Sequence, residues 1–310
     1  MQADLARLEK SEPNEAALAV SLNNLAEFYR NQDRYDEAET MYVRSLHIIE
    51  TKFGSNHPDV AVLLNNLALL YTAEGNYSQA ESLYKRALKI SEVAVGADSI
   101  DMARAMNNLA ELYRKQSKYT EARHLYERSL EIWQKKTGVD SPLVATSLNN
   151  LGLLYSDEGK FDKAAHLYAQ SLAIREKKLG ASDPVVASSL NNLAELYRKQ
   201  GQYLKAIPLY ERAQSILEKA LGPTNPQVAT VLNNLALLYT SLGKYTLAES
   251  YYKRAIAIRE SQSPKKNPEL VKSLNSYARF LKIRNQPQRA SAFYAKAKAL
   301  TNRRPMGVAD

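Results

Sequence analysis

The sequence predicts an all-α solenoid of seven helix hairpins, and three observations predict it. The doublet Asn-Asn recurs at Asn23, Asn65, Asn107, Asn149, Asn191 and Asn233, each 42 residues after the last, and Asn275 continues the series with Ser276 behind it. Within each period the apolar residues fall at helical spacing. Gly and Pro punctuate the periods at recurring places. A fixed repeat of a few tens of residues implies stacked units that bury their apolar faces against one another. Composition agrees: of 310 residues, 45% are hydrophobic and 24% charged, with only 11 Gly, which suits a packed chain with short loops.

Taken in order, residues 1–15 read as a partial helix or N-terminal cap, because Leu5 to Lys10 resembles Leu172 to Lys177. Seven units follow, at about 16–57, 58–99, 100–141, 142–183, 184–225, 226–267 and 268–300. In the second, Leu64, Leu67, Ala68 and Tyr71 make one buried stripe, and Gly75-Asn76 ends that helix in a left-handed turn. Ala80, Leu83, Tyr84, Ala87, Leu88 and Ile90 make the second stripe, which Gly96 closes. Later units open on a capping residue followed by proline, as in Ser141-Pro142, Asp183-Pro184, Asn225-Pro226 and Asn267-Pro268. Small residues (Ala38, Ala80, Ala122, Ala164, Ala206, Ala248, Ala290) and tyrosines (Tyr42, Tyr84, Tyr126, Tyr168, Tyr210, Tyr252, Tyr294) form columns that fit ridges into grooves. Tyrosine is therefore read as packing rather than as a base-stacking platform. Residues 301–310 lack periodicity and are expected to be disordered.

The pattern L-x-x-L-A-x-x-Y, then Ala, Tyr or Phe, and Ala, resembles the tetratricopeptide repeat (TPR). Its 42-residue period and wording, LNNLALLY…GKY…AE.LYKRALAIRE, are similar to the kinesin-light-chain type. The resemblance covers about residues 16–300. It implies a right-handed superhelix whose first helices line a concave groove that binds proteins. Kinesin light chains bind acidic peptides that carry an aromatic residue, so a similar partner is implied here. Repeat seven departs from the pattern at Ser276, Tyr277, Leu281 and Pro287.

At about 100° per residue the second Asn of each pair points away from the buried stripe, and the first sits at the seam between repeats. Asn is a poor helix former, so these columns need a tertiary reason. A primary amide can match the N–H and C=O of an extended peptide whatever its sequence. The alternative is that the amides bond one another and set the superhelical pitch. The seam column is read as structural. The groove column (Asn24, Asn66, Asn108, Asn150, Asn192 and Asn234) is read as a peptide ladder, which needs those amides to lack partners until a guest strand arrives.

Arg104, Arg114, Lys115, Arg198 and Lys199 would take the guest's carboxylates, and Leu69, Leu153 and Leu237 would floor apolar sockets. Odd repeats carry Glu27/Arg30, Glu111/Arg114 and Glu195/Arg198 where even ones carry Leu69/Thr72, Leu153/Ser156 and Leu237/Thr240, a second period of 84 residues. That alternation is open between duplication history and a patterned groove, and each Glu and Arg could equally pair on its own helix. Groove positions hold nine bases against four acids within a net charge of +9, which favours an acidic partner.

The chain has no cysteine and four histidines. No phosphate loop, nucleotide fingerprint or hydrolase motif occurs. The expectation is a non-catalytic protein-interaction scaffold that holds an extended acidic peptide, with no cofactor and no metal. The competing expectation is a structural or regulatory section of a larger signalling or assembly protein that uses its convex face or helix ends. Nucleic acid is disfavoured by the scattered acids, and no apolar run reaches the ~20 residues of a membrane span. The cytoplasm is the expected compartment, although a mature secreted chain or a section of a longer one would read the same way.

Overall fold

A computed structural model describes residues 15–262 and 267–301. The expectations for residues 1–14 and 302–310 lie outside the described residues. Fourteen helices and no strand are found among them. They are α1 (Glu15–Arg30), α2 (Tyr35–Phe53), α3 (Pro58–Glu74), α4 (Tyr77–Val95), α5 (Ile100–Lys115), α6 (Tyr119–Thr137) and α7 (Pro142–Asp157). There follow α8 (Phe161–Leu179), α9 (Pro184–Lys199), α10 (Tyr203–Leu221), α11 (Pro226–Ser241), α12 (Tyr245–Gln262), α13 (Pro268–Ile283) and α14 (Pro287–Thr301). They form two compact units, Met1–Lys160 and Phe161–Asp310, so the division falls inside the fourth predicted hairpin.

Local chemistry sets the helix boundaries. The Ser141 hydroxyl accepts from the Val144 N–H at 3.3 Å, the Asp183 carboxylate from Val185 at 2.7 Å and the Asn225 amide oxygen from Gln227 at 2.9 Å. Proline follows each cap, where the missing N–H costs nothing. Gly75 ends α3 at φ +85°, and Ser117 holds the equivalent left-handed turn after α5 at φ +59°. An L side chain there carries a steric cost that glycine avoids.

In the first unit Ala38, Ala80 and Ala122 are sealed, with Tyr42, Tyr84 and Tyr126 beside them. In the second, Ala206, Ala248 and Ala290 take those places, and one continuous core runs from Val186 to Ala297. Second helices are also clamped from repeat to repeat at their rims. Arg86 pairs with Glu50 at 2.5 Å, Arg212 with Glu176 at 2.6 Å and Arg254 with Glu218 at 2.7 Å. These partly exposed pairs are each worth about 0–1 kcal/mol, so apolar burial carries most of the stability.

Candidate peptide-binding face

The first-helix face is described unit by unit. In the first unit, α1, α3, α5 and α7 place Asn24, Asn66, Asn108 and Asn150 at equivalent positions. Asn24 is exposed and the other three are half-buried. Their amides are not idle. Asn66 Nδ2 donates to Asn23 Oδ1 at 2.9 Å, Asn108 Nδ2 to Asn65 Oδ1 at 3.0 Å, and Asn150 Nδ2 to Asn107 Oδ1 at 3.2 Å. In the second unit Asn234 Nδ2 donates to Asn191 Oδ1 at 2.9 Å. Four of the six groove-column amides, Asn66, Asn108, Asn150 and Asn234, are thus tied to the seam amide of the preceding repeat.

The requirement that these amides stay unpartnered is therefore not met. The physical reason is reach: the two columns face each other across the seam, and a buried carboxamide oxygen must find a donor. One N–H of each of these four amides is spent in this way. Its carbonyl oxygen and second N–H are not used by that bond, because a carboxamide carries two donors and an acceptor. Asn150 differs in also accepting from Asn149 at 3.4 Å.

The charged rungs are paired as well. Arg114 forks onto Glu111, with Nε and Nη2 each 2.8 Å from a carboxylate oxygen, and Nη1 meets Asp157 of the next repeat. Arg198 forks onto Glu195 at 2.7 Å through both nitrogens. Arg104 pairs with Asp101 at 3.0 Å, and Arg30 sits 3.7 Å from Glu27. Lys115 and Lys199 are exposed at the helix ends. Leu69, Leu153 and Leu237 are half-buried on this face, where apolar sockets are expected.

Beneath the rungs lie the column tyrosines. Tyr126 Oη donates to Glu111 at 2.9 Å and Tyr210 Oη to Glu195 at 2.8 Å. Burial alone would raise both carboxyls, but the guanidinium forks and tyrosine hydroxyls outweigh it and hold Glu111 and Glu195 below the ordinary 4.5. Burial pushes the Tyr126 and Tyr210 hydroxyls far up, with the adjacent carboxylate adding to it. In an even repeat, by contrast, the Tyr84 hydroxyl lies buried beside Thr72 without a hydrogen bond of good geometry, and burial raises its pKa too.

Repeat seven breaks the amide series. Ser276 replaces the groove Asn of α13, and the Asn233 oxygen of α11, in a residue only 4% exposed, is left with no hydrogen-bond partner. Sequence reasoning missed two further features. Arg175 and Arg259 are charged side chains inside second-helix packing stripes, and a charge in an apolar stripe was the available signal. Two cavities also flank α11. One, of about 190 Å³, includes Asn192, Gln227 and Thr230 in its wall; the other, of about 220 Å³, includes Gln227, Thr230 and Arg259. Among the described residues no metal-ligating cluster is found, and no helix is long and apolar enough to cross a membrane.

Residues 17–92, 101–177 and 185–261 match the tetratricopeptide repeat family. BtubC (BKLC) from P. vanneervenii shares 25% identity at a TM-score of 0.56, over 76% of this chain and 94% of that one. A putative kinesin light chain of Podospora anserina with nearly identical TPR-like repeats shares 25% at 0.55, over 67% and 98%. The Rap conjugation gene regulator of plasmid pLS20, solved with the Phr* peptide, shares the fold at a TM-score of 0.66 with 12% identity, over 89% and 71%. No curated protein matches. The chain belongs to the tetratricopeptide repeat family, with repeats of the kinesin-light-chain kind.

Proposed function

We propose that this chain is a non-catalytic protein-interaction scaffold whose first-helix face captures an extended acidic peptide. One observation carries the reading: the groove carboxamides Asn66, Asn108 and Asn150 of the first unit and Asn234 of the second are each held in a fixed pose by one N–H, and that bond leaves the second N–H of each amide unspent. Tethering lowers the entropy cost of using that capacity, because the side chain is already ordered. Packed helices lie ~8–10 Å apart and an extended chain advances ~3.3 Å per residue, so each repeat spans about three peptide residues. A peptide of about six to twelve residues would fit the first helices of either unit. On the first unit Leu69 and Leu153 would take its apolar side chains, and Lys115 with the outer edges of Arg104 and Arg114 would face its carboxylates; on the second, Leu237 and Lys199 with the outer edge of Arg198 would serve the same ends. That the pLS20 regulator was solved in complex with the Phr* peptide supports the fold as one that can hold a peptide.

A second reading has one observation behind it. The amide–amide bonds could serve repeat register alone, and partners would then dock on second helices or helix ends. The double variant Asn108→Ala/Asn150→Ala separates the two. The proposal expects about a tenfold to hundredfold loss of peptide affinity by fluorescence anisotropy, with the helical circular-dichroism signal retained. Unchanged affinity for every captured ligand would leave only the second reading.

A further inference from the structure

Arg259, near the end of α12, occupies a place that apolar packing would fill more cheaply. One repeat earlier the position holds Leu217, 2% exposed, whereas Arg259 is 3% exposed and charged. A guanidinium that far from water is costly unless its donors are met and its charge is paired. Nη1 donates to the Glu269 carbonyl oxygen at 2.6 Å and to the Ser273 hydroxyl. Nη2 donates to the Thr230 hydroxyl at 3.0 Å and to the Glu269 carboxylate at 3.3 Å. Only that last contact is ionic, and the Glu269 side chain is 55% exposed.

The bond to serine is a packing feature, since Arg175 donates to Ser189 at 2.6 Å one 84-residue period earlier. The surroundings are what set Arg259 apart. Its guanidinium lines the cavity of about 220 Å³ between α11 and α13, together with Pro226, Gln227, Thr230, Asn267 and Glu269. Thr230 stands one turn before Asn234 on α11, so this cavity borders the row of carboxamides.

We propose that the cavity is a carboxylate socket, in which an acidic group of a bound peptide takes the Nη2 edge of Arg259 beside the Thr230 hydroxyl and displaces the Glu269 carboxylate. Glu269 is an internal stand-in for that group. Its release is cheap: it is solvated, it holds the guanidinium through one long contact, and Lys272 stands 4.0 Å away to receive it. The other three contacts keep the guanidinium in place during the exchange, and one carboxylate replaces another, so the buried charge is never left alone. Arginine suits the task, because its fixed planar donors keep three N–H groups on the Glu269 carbonyl, Ser273 and Thr230 while the remaining Nη2 N–H meets the carboxylate, where an ammonium would present a point charge. This socket rests on the peptide-binding reading above and gives it a site for one acidic residue or for the peptide's terminal carboxylate.

The test uses the full chain with ¹⁵N-labelled arginine, titrated with succinate and then with a peptide chosen from an array. The expected result is a saturable shift of the Arg259 side-chain resonance, with Glu269→Gln tightening both ligands about fivefold, the worth of one exposed ion pair. Glu269→Gln keeps an oxygen that can accept from Nη2, and its helical circular-dichroism signal and urea midpoint, read alongside, tell a change of stability from a change of binding; Arg259→Lys assigns the resonance and abolishes the effect. Peptides with Asp or Glu changed to the amide, and peptides amidated at the C-terminus, show which carboxylate enters. No shift with succinate in either protein overturns the socket. Peptide capture indifferent to Glu269→Gln and Arg259→Lys overturns it as well, and leaves the wider reading standing. A succinate response without any peptide capture keeps the socket and removes the wider reading.

Discussion

At the scale of single residues, hydrogen-bond accounting explains most of the first-helix face. Asn233 shows the cost of one missing partner: its oxygen is orphaned because Ser276 cannot reach where Asn234 and Asn150 do in their own repeats. Ser276→Asn should supply that donor and raise stability by about 1 kcal/mol, seen as a higher urea midpoint at an unchanged slope. Glu111 and Glu195 give a pH signature. Their folded pKa values lie below the ordinary 4.5, so their stabilisation is present above that pH and is lost as pH falls through the folded values. The wild-type melting temperature should drop steeply below about pH 4.5. The double variant Glu111→Gln/Glu195→Gln should start lower at neutral pH and show a flatter acid limb; an equally steep limb would assign the loss to other carboxylates. The doublet itself was legible in the sequence. That its two members bond across the seam stood there as one of two readings, because a pattern does not give the reach from Asn66 to Asn23 that decides between them.

At the scale of elements, the helix boundaries were readable because they rest on local chemistry. Ser141, Asp183 and Asn225 cap as their side chains allow, and proline follows each. The 84-residue alternation was visible too, but its physical consequence was hidden under the helices. In repeats three and five, Glu111 and Glu195 accept the buried tyrosine hydroxyls from below and an arginine fork from the side. In repeat two the Tyr84 hydroxyl lies beside Thr72, whose own hydroxyl donates to the Ala68 carbonyl at 2.8 Å. The two tyrosines should therefore respond oppositely to loss of the hydroxyl. Tyr126→Phe should destabilise by about 1–2 kcal/mol, since it strips a donor from a carboxylate, whereas Tyr84→Phe should be neutral or stabilising by up to about 1 kcal/mol. Paired denaturant titrations read the difference, and equal losses would contradict the assignment.

At the scale of the whole molecule, a net charge of +9 favours an acidic partner, yet the arginines read as that partner's contacts are engaged on their own helices or with the next repeat. The excess is therefore weaker as a local attractor than a count of groove bases suggests, and salt should weaken peptide binding only modestly. Sequence gave the architecture through periodicity, whereas self-pairing of charges depends on rotamers that no pattern records. The most direct measurement is an array of six- to twelve-residue peptides probed with the wild-type chain and with Asn108→Ala/Asn150→Ala. The account predicts retention of acidic peptides bearing an apolar residue over basic and scrambled versions, with retention lost in the variant. Equal retention of acidic and scrambled peptides, or retention that survives the variant, would contradict it.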